Sequence, residues 1–190
     1  MLFRSQEDHQ RLIYGWNDTQ RPYPVDRTLQ GMFEEQVERT PEKIAVMSGE
    51  VRLTYGELNG RANRLAHYLR DRYEIVPDEL IGLCLDRNEH MLIGILGVLK
   101  AGGAYVPMDP GYPAERMEYM LSDTATKVVL TNGAHTARLS QIAAGTTVAL
   151  EAIDSVGFRE TLSGYGVANP RTGTRPDHLA YVIYRSEGVV

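Results

Sequence analysis

The stretch LIGLCLDRNEHMLIGILGVLKAGGAYVP, Leu80 to Pro107, is the clearest indication of the fold, because it predicts a strand, a helix and a second strand. The run from Leu80 to Leu85 is apolar without alternation, which is typical of a parallel strand covered on both faces. Asn88 can cap the helix that follows, and the paired Gly102 and Gly103 end it. AYVP then reads as another short buried strand. A strand, a crossover helix and a second strand form the repeating unit of a parallel sheet.

The same alternation of strands and helices continues on both sides of this unit. Upstream, TLQGMFEEQVERTP predicts a helix, KIAVMSGEVRLTY two short strands, and Thr54 and Glu57 a capping box that opens a long helix. Downstream, a helix near Pro113 is followed by the strand KVVLTN, a weaker helix and the strand TTVALEAI. Residues 154–177 show no clear period, and LAYVIY, Leu179 to Tyr184, predicts a final strand. We therefore expect an α/β domain with a mixed, largely parallel sheet flanked by helices.

Composition narrows the classes of function. The chain has 190 residues, a hydrophobic fraction of 43 % and a net charge of −5. Its three lysines and seventeen arginines are interspersed with acids, so we expect no nucleic-acid partner. No apolar stretch reaches the ~20 residues of a membrane helix, and the N-terminus does not resemble a secretory signal. Cys84 is the only cysteine, which excludes an internal disulfide. These features predict a cytoplasmic protein without a membrane partner.

Most residues that could carry chemistry also have a structural explanation. Asp86 and Asp109 each follow a predicted strand, where α/β enzymes place functional groups, but both fit a cap or a turn better. Cys84 is expected to be buried and inert. The five histidines never fall at the spacing of metal ligands, and His67 is expected on a helix surface. The sequence thus predicts no catalytic residue and no metal site.

Ser186 is the single candidate binding residue. It follows the predicted strand Leu179 to Tyr184, and a strand leading into small, hydroxylated and glycine residues often cradles phosphate with backbone N–H groups. The signal in YRSEGVV is weak, because the loop lacks a second nearby glycine, a lysine and a following helix. On these residues alone the chain is an α/β domain with a weak indication of nucleotide binding at Ser186.

Several motifs together resemble the adenylation domain of nonribosomal peptide synthetases. That family belongs to the adenylate-forming enzymes, with acyl-CoA ligases and luciferases. LTYGEL resembles its first core motif, LKAGGAYVPMDP its second, and PDHLAYVIY the strand that leads into its third, a phosphate loop. WNDT and the YP segment upstream resemble the linker that joins a condensation domain to an adenylation domain. The resemblance extends from about Leu12 to Tyr184, with three motifs in the family's order.

The resemblance implies a division of the chain. Residues 1–27 would be the interdomain linker, and residues 28–190 the N-terminal part of the large adenylation subdomain, truncated at the phosphate loop. The parent enzyme would use ATP and Mg²⁺ to activate an amino acid, and would pass the acyl group to the phosphopantetheine thiol of a carrier domain. Its partners would be the upstream condensation domain, the remainder of the adenylation domain and the carrier domain.

The chain departs from the family at the phosphate loop itself. Arg185 stands where the family has threonine, and Glu187 where it has glycine, which places a negative side chain at a polyphosphate site. We therefore expect this chain alone to be inactive and to bind no cofactor. Its incomplete sheet is expected to expose edges and to favour self-association. Two alternatives stay open: a non-catalytic scaffold or docking piece of a synthetase, and part of an acyl-CoA ligase.

Overall fold

A computed structural model describes residues 5–185 and contains a four-stranded parallel sheet. The strands are β3 (Leu80–Cys84), β4 (Ala104–Pro107), β5 (Val128–Thr131) and β6 (Ala149–Ala152). They lie in the order β4-β3-β5-β6, and every neighbouring pair is parallel. A separate antiparallel hairpin, β1 (Ile44–Ser48) and β2 (Val51–Thr54), precedes the sheet. The predicted α/β class and largely parallel sheet are confirmed.

Seven α-helices accompany these strands within residues 5–185. They are α1 (Gln6–Gln10), α2 (Leu29–Arg39), α3 (Tyr55–Tyr73), α4 (Glu89–Ala101), α5 (Ala114–Thr124), α6 (Gly133–Ile142) and α7 (Val156–Ser163). A π-helical turn, Arg11–Gly15, continues α1 directly. None of these helices combines the length and the apolar character that a bilayer span requires.

Helices cover both faces of the sheet. On one face, α3, α4 and α7 pack in a core that includes Leu65, Ile93 and Phe158. On the other face, α5 and α6 form a second core that includes Met117 and Leu139. Because both faces are covered, side chains of β3 and β5 are buried whichever way they point. This explains why the sequence of β3 is an unbroken apolar run.

The predicted start of α3 and the predicted end of α4 are confirmed. The Thr54 hydroxyl accepts from the backbone N–H of Glu57 at 3.1 Å, and the Glu57 carboxylate accepts from the N–H of Thr54 at 2.9 Å. Gly102 ends α4 with a φ of 102°, a left-handed conformation in which a side chain would be strained. The LTYGEL and AGG stretches therefore have the structural roles expected of them.

Lys100 lies in the last turn of α4, where its positive charge is favourable to the helix dipole. Its side chain is almost fully buried and forms an ion pair with Glu34 of α2. The ammonium also donates to the Asn169 side-chain oxygen at 3.2 Å. In addition, the Asn63 amide of α3 donates to that Asn169 oxygen at 2.9 Å and to the carbonyl of Val167 at 2.6 Å. A buried polar cluster thus joins α2, α3 and α4 to the chain that follows α7.

Two regions differ from the prediction. Residues 154–177 contain the eight-residue helix α7, which begins after a Ser155 cap and buries Phe158. The helix is too short to show a clear apolar period, so the sequence did not reveal it. The segment 179–184 is not a full strand, because it joins the outer edge of β4 through the single parallel bridge between Tyr105 and Tyr181. Two backbone hydrogen bonds, at 3.0 Å each, hold that bridge.

Candidate functional site

A crevice opens at the carboxyl end of β3. The chain leaves β3 into α4 on one face of the sheet, whereas it leaves the neighbouring strands β4 and β5 into α5 and α6 on the other face. Where connections from adjacent strands diverge in this way, open α/β sheets bind their ligands. The topology alone therefore places the candidate site at this end of β3.

A cleft of about 440 Å³ occupies that position. Its walls come from the loop after β3, the loop after β4 and the terminal segment 179–184. The lining residues include Asp86, Arg87, Asp109, Tyr112, Ile183 and Tyr184. The mixture of one cation, two carboxylates and two aromatic rings suits a polar ligand that carries a planar group.

Asp86 fixes one wall of the cleft by contacts to the neighbouring strand. Its backbone N–H donates to the side-chain oxygen of Asn132 at 2.7 Å, and its carboxylate lies 2.8 Å from Nε2 of His135. Asn132 and His135 follow β5, so these contacts close the gap between the ends of β3 and β5. The interpretation of Asp86 as a cap or turn former is wrong, because Asn88 caps α4 and the Asp86 carboxylate contacts His135 instead. Asp86 also lines the cleft.

Asp109 shapes the second wall as a turn former. Its carboxylate accepts from the backbone N–H of Gly111 at 2.8 Å, which organises the turn between β4 and α5. Arg138 of α6 donates to the carbonyls of Pro110 and Tyr112 and anchors the same turn. The turn interpretation of Asp109 is confirmed, and the role of Arg138 was not visible in the sequence.

Tyr184 anchors the terminal segment at the mouth of the cleft. Its hydroxyl donates to Asp123, and its ring meets Tyr119 edge-on with centroids 6.1 Å apart. Arg116 donates to the Tyr184 carbonyl at 3.1 Å and lies over the ring of Tyr112 at 4.2 Å. Burial, together with the hydrogen bond to Asp123 and the charge of that carboxylate, raises the pKa of Tyr184 to about 12. These contacts hold the chain at the cleft just before the candidate Ser186.

The remaining predicted residues divide into three groups. Ser186, the candidate phosphate-binding residue, lies outside the described residues, as does Glu187. Cys84 is buried as expected, and burial raises the pKa of its thiol to about 11. His67 lies on α3, partly buried, with Nε2 2.9 Å from the carbonyl of Ala168. Between residues 5 and 185, no group of three or more His, Cys, Asp or Glu side chains is arranged to hold a metal ion.

Comparisons with known proteins identify the family. The model of the family described as AMP-binding enzyme matches residues 33–186, so the chain belongs to that family. Within it, the chain is an adenylation-domain piece of the nonribosomal peptide synthetase type. It is 49 % identical over 171 residues to the N-(5-amino-5-carboxypentanoyl)-L-cysteinyl-D-valine synthase of Amycolatopsis lactamdurans, covering 90 % of this chain and 4 % of that protein. Bacitracin synthase 3 of Bacillus licheniformis is 42 % identical, covering 96 % of this chain and 3 % of the synthase.

Solved structures agree with this assignment. The crystal structure of the nonribosomal peptide synthetase FmoA3 matches with a TM-score of 0.80 and 34 % identity, covering 97 % of this chain and 19 % of that one. The AMPPNP-bound form of FmoA3 matches with the same TM-score and identity over the same shares of the two chains. The chain therefore spans only a small part of the relatives that it matches.

Proposed function

We propose that this chain forms the N-terminal part of an adenylation region that activates an amino acid with ATP. The observation that carries the proposal is the cleft at the carboxyl end of β3, whose mouth holds the terminal segment at Tyr184. That segment resembles the strand that leads into the family's phosphate loop, although the residues after it differ from that loop at Arg185 and Glu187. The 49 % identity to a peptide synthase favours this function over an acyl-CoA ligase.

In the proposed reaction, the bonds that form and break first are those at the α-phosphate of ATP. The amino-acid carboxylate attacks the α-phosphate of ATP, which yields an aminoacyl-adenylate and pyrophosphate. The phosphopantetheine thiol of a carrier domain then attacks the acyl carbon of this adenylate, which forms a thioester and releases AMP. Of the described cleft residues, Arg87 is the exposed cation that can meet a phosphate oxygen, and Tyr112 and Tyr184 offer aromatic surface.

Residues 1–27 are proposed as the linker to an upstream condensation domain. Ile13, Tyr14 and Trp16, on and just after the π-helical turn, are 49 %, 60 % and 65 % exposed. Large apolar side chains exposed side by side are typical of a surface that another domain covers. A docking role for this segment is thus compatible with the adenylation proposal. A cytoplasmic location follows from the same proposal, since ATP and carrier domains are found there.

The test is amino-acid-dependent ATP–pyrophosphate exchange, measured on two proteins. The first is this chain alone, which we expect to give no exchange above background. The second is a hybrid in which residues 28–185 replace the matching part of FmoA3, with the remainder of that synthetase unchanged. We expect the hybrid to exchange at a rate within about tenfold of FmoA3, because the chain then supplies one wall of a complete site.

Matched variants decide whether the cleft takes part. In the hybrid, Arg87→Gln should raise the KM for ATP by on the order of tenfold, since a charge-assisted contact to phosphate is lost. Arg39→Gln, on the exposed surface of α2, should leave that KM within about twofold. A hybrid that is folded by circular dichroism, but silent both with the twenty common amino acids and with α-methyl-L-serine, whose adenylate is bound in one FmoA3 structure, would overturn the proposal. Exchange by the chain alone would show that the expected inactivity is wrong.

A further inference from the structure

A second pocket, separate from the cleft, lies between α3, α4 and α7. It has a volume of about 190 Å³ and is lined by four basic side chains above an apolar floor. The basic residues are Arg61 and Arg64 of α3, His90 of α4 and Arg159 of α7. The floor consists of Leu65, Ile93, Ile153 and Leu162. Nothing in the proposed adenylation reaction uses this pocket.

The guanidinium groups at its rim have no carboxylate partner within residues 5–185. Arg61, Arg64 and Arg159 take part in none of the ion pairs found there, whereas Arg27, Arg39 and Arg175 are paired. Nε of Arg64 and Nδ1 of His90 are buried and lack a hydrogen-bond partner in that same part of the chain. A buried donor without an acceptor, such as Nε of Arg64, costs free energy, which an anion in the pocket would recover.

Two carboxylates, those of Glu89 and Asp154, lie near His90, but neither is among the residues that line the pocket. Glu89 Oε1 lies 3.6 Å from Nδ1 of His90, which is beyond hydrogen-bond distance. The Asp154 carboxylate is occupied by the backbone N–H of Gly133 at 2.8 Å and the Asn132 amide at 3.2 Å. Burial alone would raise the pKa of Asp154, but these hydrogen bonds and the charge of His90 together lower it. Three arginines therefore leave a net positive charge.

The N-terminal ends of helices α4 and α7 add to the positive charge of the pocket. His90 lies in the first turn of α4 and Arg159 in the first turn of α7. The N-terminus of a helix carries a partial positive charge, so both helix starts favour a negative group near these residues. Three guanidiniums around one pocket can together donate to the several acceptor oxygens of a phosphate group.

We propose that the pocket between α3, α4 and α7 binds a small phosphate monoester. The guanidiniums of Arg61, Arg64 and Arg159 take its oxygens, and the apolar floor takes its short organic group. The apolar floor distinguishes this ligand from inorganic phosphate, which offers nothing to contact Leu65 or Ile93. The pocket is a binding site for a ligand that the adenylation reaction does not require.

The experiment titrates the full 190-residue chain with phenyl phosphate and with inorganic phosphate. Binding is followed by isothermal calorimetry and by NMR, at pH 7.5 and constant ionic strength, with chloride as the exchanged anion. We expect saturable binding of both probes, at least about threefold tighter for phenyl phosphate because its ring buries apolar area on the floor. The backbone signals of Arg64 and His90 should shift on saturation.

Substitutions distinguish binding in this specific pocket from nonspecific attraction of the anion to a basic surface. Arg64→Gln should weaken phenyl phosphate binding by at least about tenfold, because it removes the partly buried cation. If that variant does not fold, the double variant Arg61→Gln/Arg159→Gln, at two exposed positions, should produce a similar loss. Arg72→Gln, at an exposed position further along α3, should leave the affinity within about twofold. Absence of saturable binding, or an equal effect of Arg72→Gln, would overturn the proposal, and equal affinity for the two probes would overturn the role of the floor.

Discussion

Lys100 shows at the scale of one residue how a charge can be held inside this fold. Its side chain is 1 % exposed, and its ammonium lies 5.9 Å from the ring centre of Phe33. Burial lowers the pKa of Lys100, and the hydrogen bond and charge of Glu34 oppose that shift. The ammonium is therefore tolerated only while Glu34 and Asn169 remain in contact with it. Removing one partner should cost more than replacing the lysine itself.

We predict that Glu34→Ala lowers the free energy of unfolding by about 3 kcal/mol, because it leaves a buried ammonium without its carboxylate. Lys100→Met keeps most of the side-chain volume and removes the charge, so it should cost less than about 1.5 kcal/mol. Urea unfolding followed by circular dichroism measures both values. The two variants remove opposite halves of the same ion pair, so their difference compares an unpaired buried ammonium with an unpaired carboxylate whose side chain is 25 % exposed.

Glu35 provides the matched control for this prediction. It is the next residue on α2 and pairs with Arg27 and Arg39 at partly exposed positions. Glu35→Ala should therefore cost less than about 1 kcal/mol, as surface ion pairs do. Equal losses from Glu34→Ala and Glu35→Ala would show that burial of Lys100 does not decide the effect.

Among the helices and strands, those whose ends are defined by residues close together in the sequence could be predicted from it. The capping box of α3 and the glycines that end α4 depend on residues close in sequence, so both were predicted. Helix α7 was not predicted, because its eight residues are stabilised by tertiary contacts. One of these is the contact of Phe158 with Tyr68, whose ring centres are 5.0 Å apart. The apolar run 179–184 predicted a strand, but only one bridge forms at the edge of β4.

The candidate site was harder to predict than the fold. Asp86 and Asp109 could be placed at strand ends from the sequence, since each directly follows an apolar run. The contact between Asp86 and His135 depends on strand order, because β3 and β5 are neighbours although β4 separates them in sequence. The pocket at Arg61, Arg64 and Arg159 likewise requires α7 to pack against α3. Contacts between side chains far apart in the sequence cannot be predicted until the topology of the fold is known.

The terminal segment provides a prediction at this scale. Tyr184→Phe removes the hydrogen bond to Asp123 but keeps the aromatic contact with Tyr119. A net loss of about 1 kcal/mol for one hydrogen bond should increase opening of the segment roughly fivefold. Hydrogen exchange of the Val182 amide, which donates to the Tyr105 carbonyl, reports that opening. Tyr119→Phe keeps the aromatic contact and the Tyr184–Asp123 bond, so it should change the exchange less than twofold.

The hydrogen bond from Tyr184 to Asp123 should weaken as the pH rises. Because the folded pKa of Tyr184 is raised to about 12, above the usual value of about 10, its stabilising contribution is complete below pH 10. That contribution is lost as the pH rises through about 12, when the phenolate faces the Asp123 carboxylate. Protection of Val182, corrected for the intrinsic exchange rate, should fall over this range in the unsubstituted chain and change less in Tyr184→Phe. An identical pH dependence of the two proteins would contradict the assignment.

At the scale of the whole molecule, the outer side of the sheet carries exposed apolar side chains. Leu179, Tyr181 and Ile183 alternate along the terminal segment and are 48 %, 50 % and 60 % exposed, although Ile183 also lines the cleft and Tyr181 packs on Tyr105. Their neighbours Val182 and Tyr184 pack against the second core. A segment with one face packed, apolar side chains outward and little pairing on its far side is a template for association with another chain.

We predict that the 190-residue chain self-associates above micromolar concentration, and that Leu179→Lys/Ile183→Lys shifts it toward the monomer. Charges on an exposed edge oppose pairing because two copies would bring like charges together. Multi-angle light scattering over a hundredfold range of concentration measures the mass of each protein. Val76→Lys, at an apolar position 58 % exposed in the loop before β3, provides the control and should leave the mass unchanged. A monomeric unsubstituted chain across the whole range would show that this edge does not mediate association, whereas association that Val76→Lys suppresses equally would assign the effect to net charge.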